Sequence, residues 1–251
     1  MTKGVCAIGV MAKAPQAGRS KTRLCPPLTH EQAAAMSAAF LRDITENIAV
    51  AARSAPIQGL IAFAPLGSEA LFDGHLADGT KLVPAVGHEA MPEGVQGFGR
   101  CLLDATERMI AAGHSAACVL NSDSPTLPTQ ILIDAARLLL APGERVVLGP
   151  AEDGGYYLLG MQRVYAHLFA DITWSTDTVA DATRARAREL GLELVELPVW
   201  YDVDDHAALI RLLAETSGAP HGGSLPPNPA PATTAALDRL GLRALAHQAA
   251  E

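Results

Sequence analysis

Seven short apolar runs alternate with longer stretches of helical period along this chain, and no other feature limits its fold as tightly. The runs fall at residues 5–11, 57–64, 81–86, 116–120, 145–148, 156–160 and 192–197. Helical patterns follow at residues 30–52, 99–112, 128–140, 177–190 and 205–215. Continuous apolar strands interleaved with helices indicate a mainly parallel sheet covered on both faces. At 251 residues, 49% of them hydrophobic, the chain is long enough to bury the core of one such α/β domain. Ligands of these sheets collect beyond the carboxyl ends of the strands, so polar clusters that directly follow a strand are the candidate site residues.

The domain is expected to occupy residues 1–216. Residues 217–233 are rich in Pro, Gly, Ser and Ala without apolar period and read as a flexible linker. A short C-terminal helix is expected within residues 234–251, free to dock on the domain, to pair with a second copy in a homo-oligomer, or to stay apart. No apolar run approaches the ~20 residues of a membrane span, and the first residues lack a cleavable leader pattern, so the expectation is a cytoplasmic protein with no membrane partner. The net charge of -8 argues against a general nucleic-acid binder. Cys6, Cys25, Cys101 and Cys118 are scattered without CxxC spacing, which speaks against zinc or a redox dithiol; Cys6 and Cys118 read as small buried hydrophobes.

Against that negative balance, the loop leaving the first strand gathers Lys13, Arg19, Lys21 and Arg23 around Gly18. Such a loop suits phosphate: glycine lets the backbone approach closely, Pro15 restrains the chain, and the helix expected to start near Thr29 adds its positive end if it points the same way. A solvated charged loop is the plain alternative. The spacing is neither that of a Walker loop nor GxGxxG.

Four acidic clusters follow strands. Asp123 leaves the fourth run between Ser122 and the stiffening Pro125 and Pro128. A carboxylate held there suits magnesium, which takes one or two carboxylates plus phosphate oxygens and water; an Asx turn or helix cap explains it equally well. Glu152, Asp153, Gly154 and Gly155 separate two apolar runs, and either form a hairpin turn, for which Asp-Gly is a strong signal, or admit a substrate that Tyr156 or Tyr157 covers. Ser175 or Thr176 reads as a helix N-cap beside Trp174, whose ring reads as packing more than as a stacking platform. Asp202 and Asp204 share one side of an extended segment and can complete a metal site. Together these describe one pole with a cationic loop and strand-end acids, suited to a metal-bound polyphosphate.

The motifs Lys13-x-Pro-x-x-Gly-x-x-Lys-Thr-Arg-Leu24, Gln96-Gly-Phe-Gly-Arg100, Ser122-Asp-Ser-Pro-Thr-Leu-Pro128, the segment 149–160, Trp174-Ser-Thr176 and Asp202-Val-Asp204 resemble the nucleotide-diphospho-sugar transferase (GT-A) superfamily. Within it they are most similar to the rSAM/selenodomain-associated transferases, also described as arsenosugar-biosynthesis-type glycosyltransferases, over about residues 5–212. Asn121-Ser-Asp stands where that family usually has Gly-Ser-Asp. The Lys-Thr-Arg-Leu segment also resembles the loop of 2-phospho-lactate guanylyltransferases. The resemblance implies a three-layer α/β/α fold with a nucleotide over the N-terminal half of the sheet, contacted by Lys13, Gly18, Arg19, Lys21, Arg23, Gln96 and Gly97. It implies a Mg2+ or Mn2+ ion on Asp123, with Asp204 and less firmly Asp202 as further acidic contacts. Glu152, Gly154, Gly155, Tyr156 and Trp174 then face the small-molecule acceptor, and Lys21, Arg23 and Asp153 stand nearest the chemistry.

Three functions compete. Nucleotidyl transfer from a nucleoside triphosphate to a phosphorylated acceptor leads, because the loop's charge exceeds what a diphosphate requires. Glycosyl transfer from a nucleotide-sugar is the alternative, with Asp153 or Glu152 as base toward an acceptor hydroxyl. A non-catalytic nucleotide-binding module is third.

Overall fold

The computed structural model describes residues 4–219 and 223–245. Its centre is a seven-stranded sheet formed by β1 (Cys6–Ala12), β2 (Ile57–Phe63), β3 (Lys81–Pro84), β4 (Ala116–Leu120), β5 (Arg145–Pro150), β6 (Tyr156–Met161) and β7 (Glu193–Glu196), in the order β3-β2-β1-β4-β6-β5-β7. The pairs β1/β2, β1/β4, β2/β3 and β5/β7 are parallel, and β6 runs antiparallel to both its neighbours. The cause is local: the β5–β6 connection is a tight turn through Asp153-Gly154, and a parallel return needs a far longer crossover.

Side chains alternate across the strands and build two cores. Cys6, Ile8 and Val10 of β1 join Cys118 and Leu120 of β4 on one face, whereas Ala7 joins Ala117 and Val119 on the other. The first face is covered by α1 (His30–Ala51), α3 (Thr129–Leu140), α5 (His206–Glu215) and α6 (Pro231–Arg239); the second by α2 (Phe98–Ala111) and α4 (Val179–Glu189). The result is the three-layer α/β/α arrangement with a mainly parallel sheet. Cys6 and Cys118 lie buried with their sulfurs 3.8 Å apart, both free thiols.

Gly9 sits mid-strand in β1 because α2 presses on it: a Cβ there would lie 2.8 Å from the Met109 sulfur. Helix α1 starts where the Thr29 hydroxyl accepts the Gln32 amide and the Gln32 side-chain oxygen accepts the Thr29 amide. Helix α6 begins three residues before the expected start, and the last residues of the expected helix lie outside the described ones. It is docked on α1 through Asp43, whose buried carboxylate accepts the amides of Ala232 and Thr233 at 2.9 and 2.6 Å. Upstream, Asn228 donates from its side chain to the Pro125 carbonyl at 2.9 Å and from its backbone to that of Thr126. Among the described residues no helix is long and apolar enough to cross a membrane.

Candidate functional site

The carboxyl ends of β1, β4 and β5 and the start of antiparallel β6 fall on one edge of the sheet, which brings the cationic loop and the acidic segments together. A cleft of about 350 Å³ opens there, lined by Lys13, Arg19, Lys21, Arg23, Asp123 and Asp204 on its polar side. Its other wall is small and apolar, with Met11, Ala62, Ala64 and Ala85 from the ends of β1, β2 and β3 and Phe98 and Cys101 from α2.

The loop is held from within. Ser20 is buried; its hydroxyl donates to the Ala14 carbonyl at 3.2 Å and accepts the Gln16 amide at 3.1 Å. Gly18 takes φ +74 with nothing near its Cβ position, so the glycine serves the turn. Lys21 also adopts a left-handed backbone, φ 51 and ψ 37, and this turns its side chain inward.

Inside, Lys21 Nζ lies 2.6 Å from Asp123 Oδ1 and 2.8 Å from Asp204 Oδ1 and donates to the Val203 carbonyl at 2.9 Å. The Lys21 side chain is 7% exposed. Burial by itself lowers the ammonium's pKa, but the two carboxylates outweigh it and the net shift is upward. For Asp204 the balance runs the other way: burial raises its pKa, Lys21 and then Arg23 lower it, and the net shift is downward. Arg23 Nη1 lies 3.2 Å from Asp204 Oδ2 on the solvent side. The Val203 amide donates to the Asp123 carbonyl at 2.8 Å, which fastens the segment carrying Asp202 and Asp204 to the β4 exit.

Asp123 accepts from Lys21 and, at 3.0 Å, from the Ser122 hydroxyl. Helix α3 has Pro128 at its N-cap position, so Asp123 is not its cap. Ser124 instead donates to the Tyr201 carbonyl at 2.8 Å. Asp205 does cap a helix, accepting the Ala208 amide at the start of α5.

Two further hollows of about 360 and 430 Å³ adjoin the cleft and share Arg23, Asp153 and Asp204. The smaller adds Asp202, Tyr201 and Arg211; the larger adds Gly155, Tyr156, Trp174 and Thr176. Burial, and then the charges of Asp204, Asp153 and Asp123, push the Asp202 carboxyl up to about 6. Asp153 accepts the Gly155 amide at 2.9 Å and so both makes the turn and faces the hollow. The Tyr156 hydroxyl is buried without a hydrogen-bond partner, and burial raises its pKa.

Other expected site residues have different surroundings. Gln96 and Gly97 do not line the cleft; Phe98 and Cys101, next along the chain, do. Gly154 serves packing: at φ +87 its Cβ position is filled by the Asp177 backbone, and its carbonyl accepts the Ala180 amide at 2.9 Å. Glu152 lines the smaller hollow and is paired there with Arg211 at 2.6 Å. Thr178, without a side-chain cap bond, occupies the N-cap of α4, while Thr176 donates to the Thr173 carbonyl. The start of α1 is capped by its own residues, and Ser37, inside the helix, is what α1 gives the cleft. Trp174 stands edge-on to Phe98 and Tyr156, with ring centroids 5.9 and 6.5 Å away. The sequence does not mark Ser37, Phe98, Cys101 or Ser122 as site residues, although Ser122 adjoins a marked aspartate and Phe98 lies within the motif Gln96-Gly-Phe-Gly-Arg100.

Among the described residues no three His, Cys, Asp or Glu side chains form a ready metal-binding group. The donor set does fit magnesium or manganese in one mode: Asp123 and Asp204 already share a cation, the Lys21 ammonium, and two carboxylates suffice when phosphate oxygens and water complete the shell.

This architecture is that of the nucleotide-diphospho-sugar transferase fold. The chain superimposes on the crystal structure of a Desulfovibrio desulfuricans G20 protein assigned as a nucleotide-diphospho-sugar transferase, with TM-score 0.78, 24% identity and 97% of each chain covered. It also superimposes on CMP:2-keto-3-deoxy-manno-octonic acid synthetase complexed with CTP, with TM-score 0.51 and 13% identity over 85% of this chain and 98% of that one. At these identities the likeness is one of fold. By sequence the chain belongs to the family described as uncharacterized protein conserved in bacteria (DUF2064), whose model matches residues 47–176. No curated protein matches the chain.

Proposed function

We propose that the protein is a metal-dependent transferase acting on a nucleotide-activated substrate, and that its reaction is nucleotidyl transfer from a nucleoside triphosphate to a phosphorylated small molecule. The observation that carries this reading is the placement of Lys13 and Arg19. Both line the same cleft as Lys21 and Arg23, and neither has an ion-pair partner among the described residues. Two unneutralised cations beside an Asp123–Asp204 pair suit a ligand with more negative charge than one divalent ion balances.

In this reading the base lies against the small residues Ala62, Ala64 and Ala85, and Lys13 and Arg19 hold the outer phosphates. Asp123 and Asp204, with Asp202 beside them, hold Mg2+ or Mn2+, which when bound neutralises charge on the departing pyrophosphate. The acceptor occupies the adjoining hollows, between Arg23 and the Tyr156–Trp174 wall. Its phosphate oxygen attacks the α-phosphorus, the bond from that phosphorus to the bridging oxygen breaks, and pyrophosphate leaves. A phosphate nucleophile needs no base.

Glycosyl transfer is the second reading, and Asp202 favours it. A carboxyl with a pKa of about 6 beside Asp153 suits a general base toward a sugar or alcohol hydroxyl. The likeness to the arsenosugar-type transferases points the same way. Product analysis separates the two: purified protein is incubated with each nucleoside triphosphate or nucleotide-sugar, magnesium and a panel of phosphorylated and hydroxylated acceptors. Pyrophosphate release dependent on an acceptor supports nucleotidyl transfer. Acceptor-dependent release of a nucleoside diphosphate from a nucleotide-sugar, with no pyrophosphate from any triphosphate, rejects it in favour of the second reading.

A further inference from the structure

Lys21 stands where a divalent ion is expected. Two carboxylate oxygens, at 2.6 and 2.8 Å, and a carbonyl oxygen, at 2.9 Å, surround its ammonium nitrogen. These are the hard oxygen donors that magnesium takes. An ammonium has three protons, and three acceptors use them, so in this arrangement Lys21 has no donor left for a phosphate. By the same contacts Asp123 and Asp204 are partly neutralised and attract a free metal ion weakly.

We propose that Lys21 is a built-in counter-ion that keeps Asp123 and Asp204 together without metal, and that it transfers to the phosphates when metal and polyphosphate enter as a pair. The proposal rests on the metal–polyphosphate reading above. The exchange is short, because Lys21, both carboxylates and the cations Lys13 and Arg19 line one cleft. The Phe40 ring, 5.6 Å from Nζ, offers the ammonium a neutral face beside its carboxylates. Metal arriving alone must compete with the ammonium, and polyphosphate arriving alone meets a neutralised lysine beside two carboxylates. Arriving together, each ligand removes the obstacle facing the other. Linkage then requires each to tighten the other by the same factor.

Equilibrium dialysis of the full chain with Mn2+ alone and with Mn2+ plus inorganic pyrophosphate tests this in wild type, Lys21→Met and Lys21→Met/Asp123→Asn. Lys21→Gln, which keeps an amide donor for the carboxylates, is the parallel variant should Lys21→Met fail to fold. Wild type is expected to hold Mn2+ weakly alone and more tightly with pyrophosphate, by a factor of about 5 to 150. Removing the Lys21 charge is expected to tighten Mn2+ alone by at least about fivefold and to shrink the effect of pyrophosphate, and adding Asp123→Asn is expected to abolish that gain. A folded Lys21 variant that binds Mn2+ alone no better than wild type, while wild type retains the pyrophosphate effect, overturns the counter-ion exchange and leaves the metal–polyphosphate reading standing. No Mn2+ binding by any form, with or without pyrophosphate, overturns both.

Discussion

The backbone amide of Val203 donates to the carbonyl oxygen of Asp123 at 2.8 Å, so the two acidic segments of the site are joined by main chain, independently of their side-chain charges. Asp123→Asn keeps that bond. It is therefore expected to fold, melting lower than wild type because the buried Lys21 ammonium loses one of its two carboxylates, while losing most of the magnesium-dependent part of nucleotide affinity, measured by calorimetry with and without Mg2+. Unchanged magnesium dependence in this variant contradicts the role given to Asp123.

Lys13 and Arg19 have no carboxylate partner among the described residues, so truncating either should leave stability within about 0.5 kcal/mol of wild type. Each bond from a charged group is worth about 1.5–3 kcal/mol. Lys13→Ala and Arg19→Ala are thus expected to weaken a nucleoside triphosphate roughly 10- to 150-fold and the monophosphate far less. Equal losses for both ligands place these cations away from the outer phosphates.

Asp202 has its pKa raised to about 6, above an unfolded value of about 3.9. The folded protein therefore holds this proton more tightly than the unfolded chain. Its contribution to stability is complete below about pH 4 and is lost as pH rises through about 6. Asp202→Asn removes the titration. The variant is expected to melt higher than wild type at pH 7.5 and to match it near pH 3.5, read from melting temperature against pH. A variant less stable than wild type at pH 7.5 contradicts the assignment.

Gly154 and Gly67 share a positive φ, +87 and +83, but differ in surroundings: the Asp177 backbone fills the Cβ position of Gly154, and nothing lies within 4 Å of that of Gly67. Alanine at Gly67 is expected to lose only the strain of a left-handed residue, about 1–3 kcal/mol. Alanine at Gly154 should lose that and more, because backbone must move. Urea denaturation of the two variants checks the difference, and equal losses mean that the Asp177 segment yields freely.

The sheet was legible because apolar runs bounded by Gly, Pro and acids leave few alternatives, and Ala116–Leu120 is a strand at the expected bounds. The clustering of the cationic loop with Asp123 and Asp204 was also legible, since a parallel sheet brings strand ends to one edge. The direction of Lys21 was not. Local sequence makes it one more loop cation, and only the Val203–Asp123 bond and its own left-handed backbone turn it onto the two carboxylates. The same limit hid Phe98 and Cys101, whose part in the cleft depends on how α2 crosses the sheet, and Asp43, which in α1 reads as an ordinary polar position until Ala232 and Thr233 arrive. For Gly154 a glycine signalled close approach correctly, but the approaching group is the protein's own chain.

We propose that the cleft at the strand ends holds a metal-bound polyphosphate between Lys13, Arg19 and the Asp123–Asp204 pair. Crystals grown with Mn2+ and a nucleoside triphosphate or nucleotide-sugar, measured for anomalous scattering, test it most directly. The expected result is a manganese peak coordinated by Asp123, with phosphates facing Lys13 and Arg19 and the base against Ala62, Ala64 and Ala85. A nucleotide bound away from this cleft, or a manganese peak with no carboxylate from Asp123 or Asp204, contradicts it.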